Sequence, residues 1–299
     1  MSDLFWRRVS KAFGLLAIGV LFGVVTISSH VEVKDLDIWL HIGVGRFIVQ
    51  NLYVPGVDIL SHTVNGTLWV NHEWLFQVLV YILYQGWGAD GLIWMQVTVV
   101  FVTFLLLLLL GYNSEKQFMT IFSLLLVLLL YQTRLTMRPD LFSLLFFVIY
   151  IFILSFHIDK RWSVYAIVAV QILWSNIHGF FFFGPVFVLI SIFGEWIKRS
   201  VRLPWQWNRI GRLTDEEYNR LGIIFFMAIL ASFINPMTFQ GAWYPIGVFL
   251  QLSGDSRIFF DYIQELQKPI TIASLGDSQN LPYFKAIIIL SAYSFIFNR

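Results

Sequence analysis

The stretch LIWMQVTVVFVTFLLLLLLG, residues 92–111, carries no charged side chain. It is long enough to cross a bilayer core, which takes about 20 apolar residues at about 1.5 Å of rise each. FMTIFSLLLVLLLY, residues 118–131, repeats the pattern a few residues on. Both runs are too long and too continuous for helices buried in a globular core. The whole chain agrees, because 58% of its 299 residues are hydrophobic and only 13% are charged. A soluble domain, at about 25% charged, needs far more polar surface to cover its core. The sequence therefore predicts an all-α, polytopic transmembrane protein. A net charge of +2 leaves no electrostatic footprint for nucleic acid, and the absence of cysteine removes disulfides and thiolate metal sites. A basic start and an apolar stretch over residues 1–30 mimic a signal peptide, but no small-x-small cleavage site follows, so this segment reads as an uncleaved first span.

Working outward from 92–111, apolar segments fall near 12–30, 74–88, 91–111, 118–137, 139–157, 163–177, 179–197, 222–240 and 283–297. Lys and Arg of short loops belong on the cytoplasmic side. Arg7, Arg8 and Lys11 put the N-terminus inside. If every segment crossed, the basic loops at 157–162 and 198–221 would fall outside. One non-spanning helix repairs this parity. WLFQVLVYILYQGWG, residues 74–88, is short, opens after His72-Glu73 and ends in Gly-Trp-Gly, which suits a helix lying in the outer interface. Eight spans remain, with outer segments 31–90, 134–140, 176–179 and 236–282, in one membrane domain over residues 1–299. Residues 37–51 form a second interfacial helix, in which Asp37, His41 and Gly45 share one face.

This topology gathers the unusual polar residues at one rim: Asp35, Asp37 and His41; His72 and Glu73; Arg138 and Asp140; Asn176 and His178; Asn235. Each has a plain structural reading. Asp37 can cap its helix, and Glu73 suits a first helical turn. Arg138-Pro139 can be an anchor followed by a proline at the first helical position. His178-Gly179 and Asn235-Pro236 can be turns. Their joint placement on one side is what points to a site. HEWLF lacks the second histidine of a zinc-protease motif, and GVGRFI has neither a preceding strand nor a third glycine. His41, His72 and Glu73 have the ligand types for a divalent metal ion; no other cofactor is indicated.

An aspartate beside the membrane can act as a base toward a hydroxyl. An arginine at the same rim can hold a phosphate leaving group, and an apolar wall can hold a lipid tail. Together with this chemistry, DLDIWLHIGVGRFI, PGVDILSHT, WVNHEWL, RPDLF and NIHGFFFFG resemble a family of bacterial membrane proteins with D-x-D-x-W-x-H, W-x-N-H-E-W-L, R-P-x-L-F and N-x-H-G motifs. Its layout is similar to the GT-C superfamily of membrane glycosyltransferases, which includes the protein mannosyltransferases and the aminoarabinose transferase acting on lipid A. The likeness covers most of residues 1–240. It implies a first outer loop with a catalytic aspartate, two juxtamembrane helices, and location in the bacterial inner membrane. It also implies transfer of a sugar from a polyprenyl-phosphate donor to an acceptor at the outer face. Asp37 is then the first choice for base and Asp35 the second. Arg138 and Arg46 would hold the leaving phosphate, and His41, His72, Glu73, Asp140, Asn176 and His178 would contact substrate. The chain departs from the protein mannosyltransferases in having D-x-D-x-W-x-H in place of an Asp-Glu pair. It also stops soon after the eighth span begins, as a shortened member or a fragment would. The competing readings are a transporter or flippase, for which the spans offer few ionisable residues near the midplane, and a non-catalytic envelope subunit.

Overall fold

The computed structural model describes residues 2–202 and 207–253, together with 285–286, 288–289 and 291. Every regular element among them is helical, apart from an isolated antiparallel bridge between Val57 and Leu68. The helices are α1 (Ser2–Ser29), α2 (Asp37–Asn51), α3 (Trp74–Gly111), α4 (Gln117–Tyr131), α5 (Asp140–Phe156), α6 (Trp162–Ile177), α7 (Phe183–Ser200), α8 (Asp215–Ala231) and α9 (Phe239–Ser253). The all-α expectation holds. Lys11–Ser29, Trp74–Gly111 and Gly179–Ser200 are long and apolar enough to cross a membrane. Gln117–Tyr131, Asp140–Phe156 and Trp162–Ile177 are apolar but shorter; a helix of α5's 17 residues extends about 25 Å.

α3 is not continuous. Gly88 adopts φ 63°, ψ −150°, a conformation open to glycine, and breaks the helix where Gly86-Trp87-Gly88 ends the short segment read from the sequence. α2 occupies the expected 37–51. Two boundaries differ. The segment expected at 222–240 is helical from Asp215 and ends at Ala231. A turn over 232–238 follows, held by Asn235, whose Oδ1 accepts from the Met237 amide at 2.9 Å. The expected outer loop 241–282 begins inside α9; its remainder, and nearly all of the eighth span at 283–297, lie outside the described residues.

The chain divides into two compact units, Met1–Lys34 with Ile93–Thr136 and Leu250–Arg299, and Asp35–Leu92 with Met137–Phe249. In the first, α1 packs on α4, and Gln96 Nε2 donates to the Ser29 carbonyl at 2.7 Å, closing the C-terminus of α1. Gly14 lies against the Gln117 side chain, where a Cβ would come within 2.2 Å of its amide oxygen.

The second unit holds α2, the first part of α3 and the α5–α8 bundle, in which α6 packs on α5 and α8, and α7 packs on α8 and α5. Trp174, Tyr150, Ile167, Val188 and Ile224 fill its core. Gly184 admits the Tyr150 ring, which a Cβ would meet at 2.9 Å. Tyr150, Gln171 and Ser232 form a buried polar chain across it, with bonds of 2.6 and 2.9 Å at Gln171. The connectors between these helices alternate between the two ends of the bundle. One end is basic. There Arg220 donates to the Ile158 carbonyl at 2.6 Å, Lys198 pairs with Glu195 at 2.7 Å, and Arg199 pairs with Asp215. A capping box of Thr214 and Glu217 starts α8 at that end. The other end collects 35–36, 52–73, 137–139, 178 and 232–238.

Candidate functional site

At this second end α2 begins on a fixed aspartate. The Asp35 side chain is 7% exposed, its Oδ1 accepts the Asp37 amide at 3.1 Å, and its Oδ2 pairs with Arg138 Nε. Capping of α2 therefore falls to Asp35, because no cap bond comes from the Asp37 side chain. Asp37 is 70% exposed, with Oδ2 3.6 Å from Arg138 Nη2. Burial raises the Asp35 carboxyl, but the hydrogen bonds from Arg138 and the Asp37 amide outweigh it and hold its pKa below the usual aspartate value.

α2 buries Ile38, His41, Val44, Gly45 and Ile48. Gly45 admits the close approach of α3, since a Cβ there would lie 2.0 Å from the Gln77 carbonyl oxygen. His41 stands edge-on to Phe76 with ring centroids 5.0 Å apart. Arg46, five residues on, lies about 140° away around the helix and is exposed.

Glu73 stands between two histidines, with Oε1 3.5 Å from His72 Nε2 and 3.9 Å from His178 Nε2. His72 stacks on Tyr244, ring centroids 4.0 Å apart. His178 Nδ1 lies 2.8 Å from Ser143 Oγ, which accepts from the Trp174 indole at 2.7 Å. Burial pushes the His178 pKa down to about 4, against the pull of Glu73. Burial also lowers His41, opposed by Glu73, Asp37 and Asp35. Burial raises the Glu73 carboxyl, but the His72 contact and the field of the three histidines overcome it, leaving the pKa below the ordinary glutamate value. Near neutral pH the centre is thus an ionised carboxylate facing the neutral imidazoles of His178 and His41, chemistry suited to binding and moving protons.

Asp140 opens α5 in its first turn. Asn176 holds structure together: Oδ1 accepts the Trp74 indole at 2.7 Å, and Nδ2 donates to the Ile172 and Ile234 carbonyls at 2.7 and 2.8 Å. Beside it lies a groove of about 400 Å³ between Trp74-Leu75, Ile172-Leu173 and Ile234–Pro236. Its two asparagine side chains are engaged by the protein, so it presents an apolar surface. Among the described residues no group of three or more His, Cys, Asp or Glu is arranged to hold a metal ion. His41, His72 and Glu73 are neighbours but not a ligand set.

The structure thus brings together Asp35, Asp37 and Arg138 in one group and His72, Glu73 and His178 in another. His41 feels the charge of both. Sequence reasoning missed Ser143, Trp174 and Tyr244. Ser143 had one available signal, lying three residues after Asp140 on the same helical face. Comparison of the chain with family models, curated proteins and solved structures gives no match.

Proposed function

We propose that the protein is a membrane glycosyltransferase of the GT-C type, moving a sugar from a polyprenyl-phosphate donor to an acceptor hydroxyl on the outer face of a bacterial inner membrane. The reading is supported chiefly by the division of labour at Asp35-Leu36-Asp37. Asp35 is fixed by Arg138 and the Asp37 amide, while Asp37 stands open beside the same guanidinium. Asp37 takes the acceptor proton as the acceptor oxygen bonds to the sugar's anomeric carbon. The bond from that carbon to the donor phosphate breaks, and its electron pair leaves with the phosphate. Arg138 supplies positive charge to that leaving group. The apolar groove beside Trp74 suits the lipid tail, one residue from Glu73.

In this reading the eight-span topology holds, with the N-terminus and the basic bundle end in the cytoplasm and the 74–87 helix lying in the outer interface. The alternation of connectors in α5–α8 favours it, because the basic loops share one end and the acid–base groups the other. The experiment is release of polyprenyl phosphate from lipid-linked sugar donors by the purified protein in nanodiscs. Wild type releases it, and Asp37→Asn does not, though it still inserts and folds. Full turnover by Asp37→Asn refutes the base assignment. Failure of wild type with every donor and acceptor offered refutes the activity.

A further inference from the structure

His178 sits at the junction of α6 and the 179–182 turn, and both its ends are held by Trp174. The His178 amide donates to the Trp174 carbonyl at 3.0 Å, while the Trp174 indole donates to Ser143, the partner of the His178 ring. An indole N–H only donates, so Ser143 Oγ is the acceptor in that bond. Helical serines commonly send their proton to a carbonyl one turn back, as Ser29, Ser191 and Ser232 do. Ser143 is buried and makes no such bond; its other partner is His178 Nδ1. If Nδ1 carried a proton, both neighbours would donate to Ser143 and its own buried hydroxyl proton would lack an acceptor. That penalty disfavours the Nδ1–H form by roughly tenfold or more. The ring proton therefore belongs on Nε2, which faces Glu73 across 3.9 Å.

We infer that Ser143, anchored by Trp174, is a positioning residue that turns the His178 Nε2–H toward Glu73, and that these two side chains form a donor–acceptor pair for a sugar hydroxyl. The distance is too long for a direct hydrogen bond. A hydroxyl oxygen about 2.8 Å from each atom accepts from Nε2–H and donates to Oε1, its two bonds meeting at about 90°. A hydroxyl is the group that gives and takes at once, so it matches this pair where a carbonyl or an ammonium does not. The Tyr244 ring stacked on His72 supplies an aromatic wall beside it. The choice of a sugar as bearer of that hydroxyl rests on the glycosyltransferase reading; the orientation of His178 does not.

Full-length protein in nanodiscs, labelled with ¹⁵N-histidine, tests both parts. His178 is assigned by the signals that vanish in His178→Gln. At neutral pH its Nδ1 shift is pyridine-like and its Nε2 shift pyrrole-like. Ser143→Ala moves Nδ1 toward the value of an unbonded pyridine nitrogen, and Ser143→Thr, which keeps the hydroxyl, restores it. The other histidine signals report that each variant is folded. A pyrrole-like Nδ1, or an Nδ1 shift indifferent to Ser143→Ala in the folded protein, overturns the positioning role. Methyl glycosides of the common hexoses and pentoses are then titrated in. At least one shifts the Nε2 signal in wild type and leaves it in place in Glu73→Gln; no response to any of them overturns hydroxyl binding. Absence of sugar transfer alongside the expected shifts would instead count against the catalytic reading alone.

Discussion

Gly45→Ala reverses the sign that helix propensity assigns to it. In an unobstructed helix the substitution gains up to about 1 kcal/mol. At Gly45 the new methyl would lie 2.0 Å from the Gln77 carbonyl oxygen, 2.6 Å from its carbon and 2.8 Å from Tyr81 Cβ. The nearest two atoms are backbone inside α3, so no rotamer change clears them. The helices must part by about 1.4 Å to restore ordinary contact. That separation loosens Ile38, Val44 and Ile48, all buried on the same face of α2. Overpacking of this kind costs about 1–3 kcal/mol, and the rigidity of the obstacle places Gly45→Ala near the upper end. Gly222→Ala in α8 is the control, because nothing lies within 4 Å of its added methyl. The two variants are compared by denaturant unfolding in detergent, followed by tryptophan fluorescence. Gly45→Ala loses about 2 kcal/mol while Gly222→Ala is neutral or slightly stabilised. Equal stabilities for the two variants would refute the close helix crossing on which the placement of Asp35, Asp37 and His41 depends.

Arg138→Met strands the nearly buried Asp35 carboxylate and costs about 3 kcal/mol, at the low end for a broken buried pair because the guanidinium is 30% exposed. Adding Asp35→Asn recovers at least about 1 kcal/mol in a double-mutant cycle, and simple additivity would rule out the pair. His178 titrates at about 4 in the folded chain against an ordinary 6.5. Between those values only the unfolded chain binds the proton, so stability is full above about pH 6.5 and falls as the pH drops toward 4, by about 3 kcal/mol. Unfolding measured across that window shows the slope in wild type and a flatter one in His178→Gln; equal slopes count against a neutral buried imidazole. The chain has no cysteine, so single-cysteine variants read topology directly. Leu36→Cys reacts with an impermeant maleimide in intact cells and Lys160→Cys only after permeabilisation; the reverse pattern overturns the orientation.

Much of the fold was legible because hydropathy and punctuation agree. The apolar runs set the helical class, and Gly86-Trp87-Gly88 marks the break in α3. Reading failed where the two disagree. The apolar run through Phe233-Ile234 carries hydropathy past the end of α8 at Ala231, while Asn235 organises the turn by hydrogen bonding, which hydropathy does not register. At the start of α8, Thr214-Asp-Glu-Glu217 is a legible capping box hidden among charges. The site was legible only as a gathering of connector residues, since Asp35 and Arg138 meet across 103 positions of sequence. Trp174 and Tyr244 gave no signal because an aromatic residue in an apolar helix looks the same whether it packs or orients a neighbour.

The placement of the two aspartates at the start of α2 gives them different tasks. Asp35 lies before the helix and turns its carboxylate in to the first amide, while Asp37, the first residue of α2, leaves its carboxylate exposed. Asp35 is the inward one: it satisfies the Asp37 amide, one of the orphan donors at the start of α2, and anchors the Arg138 side chain arriving from before α5. A carboxylate so engaged is a weak base and an effective anchor. Asp37 keeps its solvent exposure and borrows only the distant Nη2 of the same guanidinium. Turning Asp37 inward in place of Asp35 would require α2 to rotate, which would draw His41 and Gly45 away from Phe76 and Gln77. The close Gly45 crossing resists that rotation, so the division between anchor and open carboxylate is fixed by a glycine ten residues beyond Asp35.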